Sequence, residues 1–194
     1  MVYGGDMASR STRYVEDTAS LRAIAHPLRL ELLGRLRMLG PATASALGRD
    51  LGESSGSTSY HLRQLERFGF IEPAPEQPSR REKVWRAAHE STSFRLWEGA
   101  GPAEKAAVDT IIAVQIEHLL AGVRRRQREA SAWPTAWLDA HASSDMQVRL
   151  TPQALRRLGE QISELVWEAE TPDDPDARWV ELHLQSFFRD GETP

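Results

Sequence analysis

The 194-residue sequence predicts a mainly α fold with a small β component, and three observations carry that prediction. Apolar residues recur at helical spacing in four short segments and two longer ones. Gly and Pro punctuate these segments where helices should stop. The stretch Leu51 to Glu72, LGESSGSTSYHLRQLERFGFIE, joins a helix end and a tight turn to a helix with a small, polar front and an apolar back.

Thr18 to Ala25 reads as a short helix with Leu21, Ile24 and Ala25 inward. The His26-Pro27 step breaks it, because proline disfavours helical geometry in the residue before it. Pro27 then suits the first turn of a second helix, to about Leu39, in which Leu28, Leu32, Leu33, Leu36 and Leu39 fall at helical spacing. Gly40-Pro41 stops it. Thr43 caps a third helix, Ala44 to Leu51, ended by Gly52. Ser54 caps a fourth, which runs to about Phe68 and closes at Gly69. Phe70-Ile71-Glu72 and Lys83 to Ala87 read as two short strands around a breaker-rich loop with Arg80 and Arg81 at its far end. Helices followed by a hairpin with a basic tip outline a winged helix-turn-helix head over residues 18–95, preceded by a flexible N-terminus, 1–17.

After a linker near 88–102, residues 103–130 read as a long helix. Val108, Ile111, Ile112, Gln115, Ile116, Leu119, Leu120 and Val123 form a continuous stripe along it. Pairing with a second copy is the simplest way to bury a stripe of that length, so the helix is expected to dimerise the protein. Residues 131–190 are expected to form a small strand–helix–strand cap. Its strands are Met146 to Leu150 and Trp179 to Phe187, and its helix opens at Thr151-Pro152 and runs to Ala169. Trp133, Trp137, Trp167 and Trp179 are the candidate walls of an effector pocket for an apolar or aromatic small molecule, against the plainer reading that they are the core of the cap.

Composition bounds the chemistry. With no cysteine, disulfides, thiolate metal sites and a cysteine nucleophile are excluded, and the sequence fits a reducing cytoplasm. No charged-then-apolar leader opens the chain, and no apolar run approaches the ~18 residues needed to span a bilayer. The expectation is a soluble cytoplasmic protein without a membrane partner. The net charge of −4 is unevenly spread. Residues 1–95 carry 14 basic and 11 acidic side chains, while 131–194 carry 5 and 12. Local sign, not the total, decides phosphate binding, and the head is modestly positive.

The fourth helix carries the candidate chemistry. Leu62, Leu65 and Phe68 fall on one side; Gly56, Ser59, Tyr60, Arg63 and Arg67 fall on the other, with Ser55 and Ser57 in the first turn. Short hydroxyls can donate to phosphates or base edges, and Arg63 can reach a guanine bidentately. Gly56 permits close backbone approach, and the helix N-terminus favours phosphate. Arg80, Arg81 and Lys83 add wing contacts to the backbone. An ordinary amphipathic surface helix would share some of these features; the preceding turn and following hairpin are what favour DNA.

The span Leu21 to Ala88 resembles the winged-helix head of ArsR-type bacterial transcriptional regulators. The matching pieces are His26-Pro27-Leu28-Arg29 and Ser59-Tyr60-His61-Leu62-Arg63-Gln64-Leu65, about a third of the chain. The resemblance implies a homodimer, operator binding by the fourth helix and phosphate contacts from the wing, with a nucleoid-associated cytoplasmic location. The chain departs from the metal-sensing members, which use a cysteine pair or Asp/His ligands in the dimer helix. It has no Cys, Asp109 and His118 are out of phase on the long helix, and no metal or other cofactor is expected. His61 is expected to hydrogen-bond within the head.

Two other motifs weigh less. Gly52-Glu53-Ser54-Ser55-Gly56 matches the serine-hydrolase elbow, but that chemistry needs a strand running into the turn, where this sequence predicts a helix. No enzyme is expected. Arg124, Arg125, Arg126 and Arg128 suit a helix C-terminus electrostatically. The function expected is a DNA-binding transcriptional repressor acting as a homodimer on an inverted-repeat operator. The alternative is a winged-helix protein-interaction module.

Overall fold

The structure, a computed structural model, describes residues 12–77, 82–94, 97, 99–141, 143–169 and 174–187. The chain divides into two compact units, Met1–Ala121 and Gly122–Pro194. The boundary falls inside the long helix, not between that helix and a following cap.

The first unit is built from four short helices: α1 (Thr18–Ile24), α2 (Pro27–Leu39), α3 (Ala44–Leu51) and α4 (Ser55–Arg67). Each opens on a side chain that accepts from an otherwise unpaired backbone N–H of its first turn. Asp17 Oδ1 accepts from Ser20 at 2.8 Å, His26 Nδ1 from Leu28 at 3.2 Å, Thr43 Oγ1 from Ala46 at 3.2 Å and Ser54 Oγ from Ser57 at 3.1 Å. Their inner faces meet in one core that includes Leu21, Ile24, Leu32, Leu36, Leu47, Leu62, Leu65 and Phe70. Each such side chain contributes on the order of 1.5–3 kcal/mol by leaving water.

The hairpin follows α4 as β3 (Ile71–Pro73) and β4 (Val84–Ala87), antiparallel, with Ile71 opposite Ala87 and Pro73 opposite Trp85. A third strand, β2 (Ala42–Thr43), joins the other edge of β4 and ties the start of α3 to the wing. It is too short to leave a periodic signal in the sequence.

Two expectations are corrected near the ends of the head. Residues 12–17 do not belong to a flexible N-terminus, and residues 91–94 are not linker. They form β1 (Thr12–Val15) and β5 (Ser91–Phe94), a parallel pair in which Thr12 faces Ser91 and Val15 faces Phe94. The reason is non-local. Val15 enters the core, the Arg13 guanidinium lies 4.0 Å over the Phe70 ring, and Arg37 of α2 donates to the His89 carbonyl and to Thr92 Oγ1.

The long helix, α5 (Pro102–Glu129), starts as predicted. Over Pro102–Ala132 it contains an 18-residue window of mean hydropathy 1.5, which by length and composition alone could cross a membrane. This corrects the sequence reading on that point. In the structure its first half is tied to the head instead: Ala107 and Ile111 enter the core, and His118 Nε2 lies 2.6 Å from Glu31 Oε1.

In the second unit, a 3₁₀ turn at Ala130–Ala132 precedes α6 (Thr135–Ala140) and α7 (Pro152–Glu168). Thr151 Oγ1 caps α7, accepting from Ala154 at 3.2 Å. The expected strand–helix–strand cap is not found among the described residues. Residues 146–150 and 179–187 carry no strand, and among the described residues no sheet includes either segment. An alternating pattern specifies a strand only where a partner exists.

Candidate nucleic-acid interface

The turn between α3 and α4 is held from several sides. Gly52, at φ +69°, ends α3 in the left-handed conformation that glycine tolerates best. Gly48 is required for space. A Cβ there would lie 2.9 Å from the Glu53 carbonyl oxygen and 3.0 Å from Thr58 Oγ1. The Ser54 carbonyl accepts from both the Thr58 N–H and the Thr58 hydroxyl, each at 3.0 Å. The Ser54 hydroxyl is engaged as the α4 cap and the run-in from α3 is helical, so the elbow-like sequence has neither the strand nor the free nucleophile of a hydrolase.

This turn fixes the roll of α4. Thr58, Leu62 and Leu65 are fully buried, while Ser55, Gly56, Tyr60, Arg63 and Arg67 are exposed, with Ser57 and Ser59 half-buried beside them. The small first turn leaves the helix N-terminus open to an approaching anion. Arg63 Nε donates to the Ser59 carbonyl at 3.2 Å, which aligns the side chain along the outer face with its terminal nitrogens still able to fork onto a base or phosphate. The Arg67 guanidinium sits 5.7 Å from the centre of the Phe68 ring.

The wing is braced on the same two helices. Lys83 Nζ lies 2.8 Å from Glu66 Oε1 of α4 and 4.1 Å over the Trp85 ring. Lys83 is therefore exposed but already paired, and a phosphate would have to compete with Glu66. Hydrogen bonds from Ser45, then Thr43, hold the Glu82 carboxyl below its ordinary range. Arg80 and Arg81 lie outside the described residues.

Behind α4 lies an arrangement that sequence reading did not assemble. The His26 and His61 rings stand 4.5 Å apart, and Arg29 Nη1 lies 3.5 Å from His61 Nδ1. Burial first, and the Arg29 charge second, push both imidazoles below the usual histidine range. They border an open cleft of about 520 Å³ whose other walls include Leu28, Leu51, Glu53 and Ser57. The His-Pro-x-Arg and Ser-x-His pieces were legible as motifs; that they meet was not, since 35 positions separate the two histidines. The expected bond of His61 within the head is present.

Of the stripe on α5, the structure removes Ile111, which is 1% exposed and belongs to the core of its own head. Val108, Ile112 and Gln115 are half-buried, and Ile116, Leu119, Leu120 and Val123 are exposed. Of the aromatic residues proposed for a pocket, Trp133, Trp137 and Trp167 are half-buried. Trp179 is 72% exposed. Among the described residues no group of three His, Asp or Glu side chains could hold a metal ion.

Comparison with known proteins places the helix-turn-helix independently. A family model described as a helix-turn-helix domain matches residues 24–74, which run from the end of α1 to just past β3. No curated protein matches the chain. Among solved structures, reduced HlyU from Vibrio cholerae is 20% identical with a TM-score of 0.32, over 53% of this chain and 84% of that one. The winged helix-turn-helix DNA-binding domain of Mb0332 from Mycobacterium bovis is 19% identical with a TM-score of 0.33, over 54% and 76%. An ArsR family transcriptional regulator is 27% identical with a TM-score of 0.31, over 52% and 87%. Residues 24–74 match a helix-turn-helix domain, and the fold assignment rests on that family match together with the packing of α3, α4 and the wing.

Proposed function

We propose that this chain is a sequence-specific DNA-binding transcriptional regulator, a repressor of the ArsR-like kind, acting in the cytoplasm as a homodimer on an inverted-repeat operator. The observation that carries the reading is the face of α4. A helix braced by Ser54, Gly48 and Thr58 presents Ser55, Gly56, Tyr60, Arg63 and Arg67 outward, with nothing bulky in its first turn. In a dimer joined along the exposed part of α5, by Ile116, Leu119, Leu120 and their half-buried neighbours Val108, Ile112 and Gln115, two such helices would enter successive major grooves about 34 Å apart. Ser57 and Ser59 would add phosphate contacts, and Arg80 and Arg81 backbone contacts from the wing. No step here calls for catalysis or a cofactor. A small molecule bound among Trp133, Trp137 and Trp167 would be the effector, to be sought by thermal shift.

The test is salt-dependent binding to genomic DNA fragments. Arg63→Ala should cost about 1–3 kcal/mol and relax discrimination at one base pair. Arg80→Ala or Arg81→Ala should weaken all sequences alike and lower the salt slope by about 1. One observation favours a second reading, a protein-docking module: Lys83 is neutralised by Glu66 in a head that is only modestly basic. Absence of any salt-sensitive, sequence-dependent shift would decide for that module.

A further inference from the structure

Two acids sit at the base of the wing among groups suited to phosphate. Lys83 Nζ donates to Glu66 Oε1 of α4 at 2.8 Å, and both side chains lie at the surface. The same ammonium lies 4.1 Å over the ring of Trp85, which is anchored in the core of the head. At the β2 edge of β4, where Thr43 pairs with Val84, the Ser45 and Thr43 hydroxyls donate to the Glu82 carboxylate at the start of α3. The charge of Arg49 stabilises that carboxylate further. Ammonium, hydroxyl and guanidinium groups are what hold DNA phosphates in protein–DNA complexes. Here each set already holds an anion of its own chain.

We propose that Glu66 and Glu82 are internal stand-ins for DNA phosphates. Backbone binding at the wing base then proceeds by exchange: one phosphate oxygen replaces the Glu66 carboxylate on Lys83, and another replaces Glu82 on Ser45 and Thr43. The inference rests on the DNA-binding function proposed above and adds which of its contacts are held in check. Trp85 prepares the exchange, because its ring keeps the ammonium in place when Glu66 leaves. The balance of ions sets the strength of the contact. A free lysine that meets a phosphate releases a condensed counterion, and that release drives binding. A lysine that must first part from a glutamate gains little, since the freed carboxylate takes up a cation in turn. The two acids therefore lower affinity for every DNA sequence alike, and they leave base reading by the outer face of α4 untouched. They also give a role to acids in a head whose first 95 residues carry 14 basic and 11 acidic side chains.

The test uses the full chain and measures binding across a salt series to two duplexes, a random sequence and the tightest-bound genomic fragment. Glu66→Gln should bind both about fivefold more tightly at ~0.15 M salt and steepen the slope of log K against log salt by about 0.9, the signature of one further phosphate contact. Lys83→Gln alone should bind like the parent, and in the Glu66→Gln background it should abolish the gain. Glu82→Gln should tighten both duplexes as well, and adding Ser45→Ala should remove that gain. All these side chains lie outside the core, so circular dichroism should be unchanged. Unchanged affinity in Glu66→Gln or in Glu82→Gln, while the parent binds DNA, overturns the inference and leaves the regulator standing. A Glu66→Gln gain that survives in the Lys83→Gln background is a general charge effect and overturns it equally, as does a gain confined to one duplex. No salt-sensitive binding by the parent or any variant removes both the inference and the DNA-binding function.

Discussion

The two histidines behind α4 each use Nδ1 as an acceptor, His26 from the Leu28 N–H and His61 facing Arg29. Protonating either ring removes that acceptor and adds a cation beside a guanidinium. Glu53 and Glu31 are the nearby acids; Glu53 raises His61 slightly, and Glu31 is engaged with His118. Both imidazoles hold protons less readily in the folded chain than in the unfolded one, so the unfolded chain protonates first as pH falls. Their contribution is complete above an unfolded pKa of about 6.5 and is lost as pH drops through the lower folded values. Denaturant titrations should therefore show stability declining below about pH 6.5. A His26→Asn, His61→Asn double variant, whose amide oxygens stand in for the two Nδ1 acceptors, should flatten that decline; an unchanged slope would assign it to other groups. The individual motifs were visible in the sequence, but their convergence depends on how α2 crosses α4.

The helix–turn–helix element was almost fully legible. Pro27, Gly40, Thr43, Gly52, Ser54 and Gly69 each act through local backbone preference, and the helices begin and end within two residues of these signals. Two substitutions test how rigidly the element is held. Ser54→Ala removes the acceptor for the Ser57 N–H and should cost about 1 kcal/mol of stability, with DNA affinity falling because the first turn frays. Gly48→Ala pushes a methyl against the Glu53 carbonyl, a backbone atom that cannot rotate away. Thermal denaturation should place it 1–3 kcal/mol below the parent, roughly the cost of overpacking a core. Equal stability of Gly48→Ala would show that the turn can shift, and would undo the account of how α4 is aimed. The strands β1, β2 and β5 were not legible, since each has four residues or fewer and takes its order from a distant partner.

At the scale of the molecule, the long helix does two things that a single stripe concealed. Its first half completes the head through Ala107 and Ile111, and its second half leaves Ile116, Leu119, Leu120 and Val123 exposed. Mutations should separate these roles. Ile111→Ala should destabilise the whole head by about 2–5 kcal/mol, as deleting a core side chain does, and lower its melting temperature accordingly. Leu120→Asp should leave the melting temperature of a dilute sample unchanged and abolish cooperative binding to an inverted repeat. Loss of both properties in each variant would mean that head and dimer cannot be separated.

The sequence by itself determined the helical head, its caps and turn, and which face of α4 would be exposed. Those features arise from interactions within a few positions along the chain, where backbone preference and apolar spacing act directly. Only the tertiary structure decided that residues 12–15 and 91–94 join as strands, that His26 meets His61, that Ile111 belongs to the head and that the described C-terminal segments form no strand. Each of these depends on what lies across space, and an alternating or apolar run carries no record of whether its neighbour is another strand, its own head or a second molecule.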